Sequence, residues 1–239
     1  MIHALVPIAS LEDAKLRLQP VLAPHERRAL VLAMLGDVLE TLFAVRDIEG
    51  VVVVTPDETV CATSLAHGAE VIREPAARGL NAAVTAGIDE ASRRGWKELL
   101  IIPGDVPLAT AQEFGAVVSA SLSSRYAVLT PSRDEQGTNA FLLAPPDLLR
   151  PAFGQASFER HMHMAQAKGV TPRVVRLHGL GRDIDLPVDL KYLLAKRRGT
   201  SRYDFLERLA QEDVMPIRPK LFQAGMVRPR ISCQLRKDA

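Results

Sequence analysis

Short continuous apolar runs alternate along this chain with longer stretches whose apolar positions recur at helical spacing. Ile2–Ile8, Val51–Val54, Glu70–Ile72 and Leu99–Ile102 read as strands, and the unbroken Leu99–Ile102 run reads as a strand buried on both faces. Between them lie helical patterns. The first begins at Pro24 and carries Leu30, Met34, Leu35, Val38, Leu42 and Val45; the others are Glu58–His67, stopped by Gly68, and Asn81–Arg94, closed by Gly95. Thr110 can cap a further helix running to about Leu122. Strand and helix in alternation imply a mostly parallel, doubly wound sheet.

The rhythm then changes. Tyr126–Thr130 and Asn139–Leu143 are strand-like and joined only by a polar turn, Ser132 to Gly137, so an antiparallel element covering one side of the cleft is expected there. A helix at Phe158–Lys168, a strand at Arg173–Leu177 and a helix at Pro187–Arg197 complete the pattern, and Tyr203, Phe205, Leu206 and Leu209 suggest one more amphipathic helix. Pro216, Pro219 and Pro229 break the remainder. The expected organisation is one α/β domain over residues 1–198 and a basic C-terminal extension over 199–239.

Composition adds limits. With 239 residues, 47% hydrophobic and 24% charged, the chain can bury a substantial core. Its most apolar long stretch, Ala29 to Val45, is interrupted by Asp37 and Glu40, so no membrane span is expected, and the apolar start lacks a basic leader. Cys61 and Cys233 match no disulfide or metal spacing, which fits a reducing cytoplasm. The net charge of +2 divides unevenly: residues 1–195 hold 19 basic against 23 acidic side chains, residues 196–239 hold 11 against 5. That basic end carries few aromatics and no nucleic-acid motif, so a nucleic-acid partner is not expected.

Candidate chemistry gathers where strands end. Gly104 lets the chain turn out of the Leu99–Ile102 strand and carries Asp105 to the carboxyl edge of the sheet, where open α/β folds bind ligands. Asp105 is either a cap or a magnesium ligand. Asp183 and Asp185 alternate, so on extended backbone both face one side and invite a cation; Asp189 reads as a cap of the following helix. Lys15 and Arg17 follow the first strand and offer a point charge and a planar fork for phosphate, or ordinary surface charge. Arg78-Gly79-Leu80-Asn81 opens a helix, with Asn81 as its cap. His161 and His163 point about 200° apart on a helix and cannot chelate together.

Taken in order, Ala14-Lys15-Leu16-Arg17-Leu18, Gly79-Leu80-Asn81, Gly104-Asp105-Val106-Pro107-Leu108, Gly137-Thr138-Asn139, Phe153-Gly154 with Ser157 and His161, and Asp183-Ile184-Asp185 resemble the phospholactate guanylyltransferase family. The resemblance implies a GT-A-like nucleotidyltransferase fold. It also implies GTP as donor and a small phosphorylated carboxylic acid as acceptor: 2-phospho-L-lactate, phosphoenolpyruvate or 3-phospho-D-glycerate. The product is then the GDP-linked precursor of the deazaflavin coenzyme F-420. By the same resemblance Asp105 and Asp183, with Asp185 beside them, hold Mg2+; Lys15 and Arg17 contact the triphosphate; Gly79, Leu80 and Asn81 border the guanosine; Thr138, Gly154 and Ser157 contact the acceptor. The family pattern has a lysine directly after the first strand where this chain has Ala9, so Arg133 or Arg182 substitutes for it, or the acceptor sits differently. Two other readings stay open: another nucleotidyltransferase or a glycosyltransferase on the same fold, and a nucleotide-binding scaffold without turnover. Assembly as a homodimer is also left open.

Overall fold

The computed structural model describes residues 1–74, 79–121, 125–197 and 199–211. Seven strands form one sheet: β1 (Ile2–Pro7), β2 (Ile48–Thr55), β3 (Glu70–Arg73), β4 (Glu98–Ile101), β5 (Tyr126–Pro131), β6 (Thr138–Ala144) and β7 (Arg173–Val174), in the order β3-β2-β1-β4-β6-β5-β7. β1 pairs in parallel with both β2 and β4, and β5 with β7, whereas β6 runs antiparallel to β4 and to β5. The antiparallel element is thus part of the main sheet. Its reversal has a consequence for function: Thr138, the first residue of β6, arrives at the edge where β1 and β4 finish, because Ile101 pairs with Phe141.

Period-two alternation sorts the strands between two cores. Ala4, Val6, Leu100 and Ile102 face one layer, with Leu30, Met34, Leu35 and Leu39 of α1 (Pro24–Phe43), Phe114 and Val117 of α4 (Ala111–Ser119), and Leu190 and Leu193 of α6 (Pro187–Arg197). Leu5, Leu99 and Ile101 face the other, with Val84 and Ile88 of α3 (Leu80–Arg93) and Phe158 and Ala165 of α5 (Ser157–Ala167). A short α2 (Glu58–Ala66) begins at Asp57, whose carboxylate accepts from the Thr59 and Val60 amides. Helices on both faces make the sheet doubly wound, as the alternating pattern predicts.

Two boundaries differ from the sequence reading. α4 has its Thr110 cap and a reciprocal Glu113 bond, but it ends at Ser119; Leu122 lies outside the described residues, as do Arg78, Cys233 and the prolines at 216, 219 and 229. The last strand pairs over Arg173–Val174 alone, with one further bond from Val175 to the Leu129 carbonyl, before the chain leaves for a turn. Beyond α6, a 3-10 turn at Ser201–Tyr203 leads into α7 (Asp204–Gln211). Tyr203 and Leu206 are buried in the α1 core layer. Among the described residues no helix is long and apolar enough to cross a membrane.

Candidate active site

Gly104 matters because a Cβ there would lie 2.1 Å from Ile8 Cδ1, so a larger residue at the exit of β4 would push the tip of the Ile8 side chain out of its place. The next residue, Asp105, is tied to the far end of the chain through its backbone: the Ile184 amide donates to the Asp105 carbonyl at 3.0 Å. That bond brings Asp183 and Asp185 beside Asp105. Asn139 of β6 donates from Nδ2 to the Leu180 carbonyl at 3.1 Å and to Asp183 Oδ1 at 3.3 Å, fixing the carboxylate. Burial raises the Asp183 carboxyl above its ordinary range, and the negative charge of Asp105 adds to the effect. Asp189 fulfils its capping role, its Oδ2 accepting from the Asp185 and Leu186 amides at 3.3 and 2.9 Å.

Lys15 reaches into this acidic group. Its ammonium lies 2.6 Å from Asp105 Oδ2 and 2.5 Å from Asp185 Oδ1. Burial would lower its affinity for a proton, but the two carboxylates outweigh that and hold it above the usual lysine range. Lys15 sits at φ 48°, a left-handed conformation, on a loop anchored from three sides. The Leu11 amide donates to Asp57 Oδ2 at 3.1 Å, and buried Arg27 donates to the Ala14 carbonyl at 2.9 Å and the Leu22 carbonyl at 3.0 Å. Arg17 is exposed, with Nη1 3.5 Å from Asp185 Oδ2. In this state Lys15 is therefore engaged by carboxylates, where the sequence reading has it facing a triphosphate.

The donor set suits magnesium. Asp105 Oδ1 is buried with no hydrogen-bond partner, and Asp183 carries the unfavourable charge of its neighbour. Magnesium takes one or two carboxylates and completes its shell with water and phosphate. A three-residue cage is not formed: among the described residues no group of three or more His, Cys, Asp or Glu side chains could hold a metal alone.

A cleft of about 460 Å³ opens in front of these residues, bordered by Ala9, Leu11, Lys15, Leu80, Gly104 and Asp105. Gly79 starts α3 at φ 86°, a conformation glycine adopts freely, and Leu80 is partly exposed at the cleft wall. Asn81 does not cap α3, contrary to the sequence reading. Gly79 occupies the cap position, and the Asn81 amide is turned to the β6–α5 side, donating to the Phe153 carbonyl at 3.1 Å and accepting from the Phe153 amide at 2.8 Å.

That pair of bonds joins the nucleotide candidates to the acceptor candidates. Thr138 and Ser157 are buried, their hydroxyls 3.4 Å apart, while Gly154 lies exposed at φ 119° in the turn before α5. His161 connects them. The Ala152 amide donates to its Nε2 at 3.0 Å, so Nδ1 carries the proton and donates to Thr138 Oγ1, also at 3.0 Å. Burial pulls the His161 pKa down to about 4, so the ring is neutral. His163 is exposed, and the two histidines form no pair.

Three side chains that build the site are given no role by the sequence reading. Asn139 and His161 stand in the matched motifs but have no assigned task, and Arg27 looks like one of several charges on the polar part of α1. Asn139 and Arg27 have partners distant in sequence or in a loop, which periodicity does not encode.

A family model described as guanylyl transferase CofC like matches residues 2–221. A phosphoenolpyruvate guanylyltransferase of Sphaerobacter thermophilus is 45% identical over 190 residues, covering 80% of this chain and 91% of that protein. A 3-phospho-D-glycerate guanylyltransferase of Phenylobacterium zucineum is 34% identical over 192 residues, 79% of this chain and 88% of that one. A 2-phospho-L-lactate guanylyltransferase of Methanothermobacter thermautotrophicus is 30% identical over 206 residues, 86% and 90%. Among solved structures, a nucleotidyl transferase from Methanothermobacter shares the fold with a TM-score of 0.61 at 20% identity, over 87% of this chain and 99% of that one.

Proposed function

The chain belongs to the family of CofC-like guanylyl transferases, and on that premise we propose that it transfers GMP from GTP to a small phosphorylated carboxylic acid, with release of pyrophosphate. The relatives' acceptors, phosphoenolpyruvate, 3-phospho-D-glycerate and 2-phospho-L-lactate, define the class. The observation that carries the reading is the backbone bond from Ile184 to Asp105, which places acidic side chains from two distant stretches at one sheet edge beside an open cleft.

The acceptor phosphate oxygen attacks the α-phosphorus in line, a P–O bond forms, and the bond to the β-phosphate oxygen breaks. A phosphomonoester has its second pKa near about 6, so the nucleophile is already an anion and no protein base is needed. This agrees with a site whose histidine is buried, neutral and engaged on both nitrogens. Asp105 and Asp183 would hold magnesium, which would supply positive charge between the two anionic reactants. Asn139 holds the Asp183 carboxylate in place through the bond from its Nδ2. Lys15 and Arg17 neutralise the triphosphate, Gly79, Leu80 and Asn81 border the guanosine, and Thr138, Gly154 and Ser157 meet the acceptor.

The test is pyrophosphate release with magnesium and GTP against the three acids, other nucleoside triphosphates serving as controls. Asp105→Asn is expected to lower turnover by at least about a hundredfold while circular dichroism and the unfolding midpoint stay near wild type. Near-normal turnover would remove Asp105 from the metal assignment. Absence of pyrophosphate release with every acid, in a protein that binds GTP, would overturn the transferase reading.

A further inference from the structure

Asp105, Asp183 and Asp185 meet at one sheet edge, and carboxylates so placed repel one another unless positive charge or donors stand among them. Asp183 receives the Asn139 amide group. The other two share the ammonium of Lys15, which lies 2.6 Å from Asp105 Oδ2 and 2.5 Å from Asp185 Oδ1. Both are short, charge-assisted bonds. The Lys15 side chain is only 10% exposed, so it is a counter-charge built into the site rather than a surface cation. Arg17, 3.5 Å from Asp185 Oδ2 and well exposed, adds a weaker, screened attraction.

A divalent ion held by Asp105 and Asp183 has to share Asp105 with that ammonium. Asp105 Oδ1, buried and without a hydrogen-bond partner, is the oxygen left for the ion, while Oδ2 already carries Lys15. Two cations on one carboxylate repel, and partial burial strengthens the repulsion. The backbone at Lys15 cannot yield easily. Arg27 Nε donates to the preceding Ala14 carbonyl at 2.9 Å, and the Lys15 carbonyl accepts from the Leu18 amide at 2.8 Å. Movement therefore falls to the side chain, an ammonium on a flexible four-carbon stem. The cleft of about 460 Å³ that Lys15 borders gives it room to turn.

We propose that Lys15 and the divalent ion exchange at Asp105: the ion's arrival at Asp105 and Asp183 frees the ammonium from Asp105 and turns it into the cleft. The proposal rests on the metal assignment made in the transferase reading above. It gives Lys15 two successive partners, carboxylates first and an anionic ligand in the cleft afterwards. The acidic edge is neutralised at each stage, so the fold never carries its three carboxylates unopposed. Lys15 thereby competes with the ion when no nucleotide is bound. It also makes the cleft most cationic only once the ion is in place.

The experiment titrates Mn2+, a probe that takes the same oxygen donors, into protein stripped of divalent ions and free of nucleotide, with free Mn2+ read by electron paramagnetic resonance. Lys15→Met keeps the apolar stem and removes the charge. It is expected to bind Mn2+ at least about tenfold more tightly than wild type, a small part of the Coulomb repulsion between neighbouring cations. Lys15→Arg, which keeps the charge, stays closer to wild type. Thermal melts of the same proteins give a second readout. In EDTA the Lys15→Met midpoint falls below that of wild type, because the acids lose their counter-charge, and saturating Mg2+ raises it by more than it raises wild type. Equal or weaker Mn2+ binding by folded Lys15→Met overturns the proposal, as does an equal Mg2+ shift in the two midpoints. Asp105→Asn tests the metal assignment separately and is expected to abolish Mn2+ binding with either residue at position 15. Binding that survives Asp105→Asn would strike that part of the transferase reading, whereas binding that needs Asp105 but ignores Lys15 would strike the exchange alone.

Discussion

Lys15 meets Asp105 and Asp185 across separations of 90 and 170 residues. Sequence reading found all three residues, because each follows a strand or an alternating acidic pair, but no local pattern says that they touch one another. His161 presents the converse case. Its motif was visible while its surroundings were not, and those surroundings give it a measurable property. The folded-state pKa, about 4, lies below the ordinary value of 6.5, so between those limits the unfolded chain binds the extra proton and stability falls as the solution is acidified. One such group gives a slope of up to about 1.4 kcal/mol per pH unit. Urea unfolding between pH 7 and pH 5 should show a steeper loss in wild type than in His161→Gln, and equal slopes would mean that the ring is charged or exposed in the folded protein. His3 is shifted in the same direction by burial, so the difference between the two proteins, rather than the wild-type slope alone, isolates His161.

Among elements, the strands and long helices were legible because burial marks the sequence, as short continuous apolar runs in β1 and β4, which are covered on both faces, and as a period near 3.6 in α1. Where an element meets another through polar side chains, that legibility ends. Asn81 shows the point: at the head of α3 it has the chemistry of a cap, yet Gly79 takes the cap position and the Asn81 amide bonds both polar groups of the Phe153 backbone. Thr110 looks the same from sequence and does cap, since Glu113 returns the bond to its amide. The difference lies in whether a neighbouring segment offers a better partner. Asn81→Ala therefore breaks a link between α3 and the turn before α5, not a helix cap. It should lower stability by roughly 1–3 kcal/mol, the range for two lost hydrogen bonds at the surface. It should also raise KM for the acceptor more than it lowers kcat, because Gly154 sits on the released turn. A thermal melt and initial-rate kinetics over both substrates check this, and an effect confined to stability would separate Asn81 from the site.

At the scale of the whole molecule, the site draws on the β1 loop, the head of α3, the end of β4, the start of β6 and the approach to α6, so it exists only when the sheet is complete. The proposed division into residues 1–198 and 199–239 asks whether the chain after α6 belongs to that folding unit. Its first part is bound to α1: the Tyr203 hydroxyl donates to Asp37 Oδ2 at 2.8 Å, and Arg202 bonds Asp37 and Glu40. Asp37 is 5% exposed, so it depends on these partners and on Arg197, 3.4 Å away, to offset its burial. Tyr203→Phe keeps the packing and removes one bond to a charged acceptor, which is worth about 1.5–3 kcal/mol. If 199–211 folds with the sheet, chemical unfolding of this variant remains a single transition at a lower midpoint, with kcat unchanged because Tyr203 touches no site residue. If the wild-type midpoint is kept, the extension is secured independently of the catalytic body, and the division at residue 198 marks a real boundary of cooperativity.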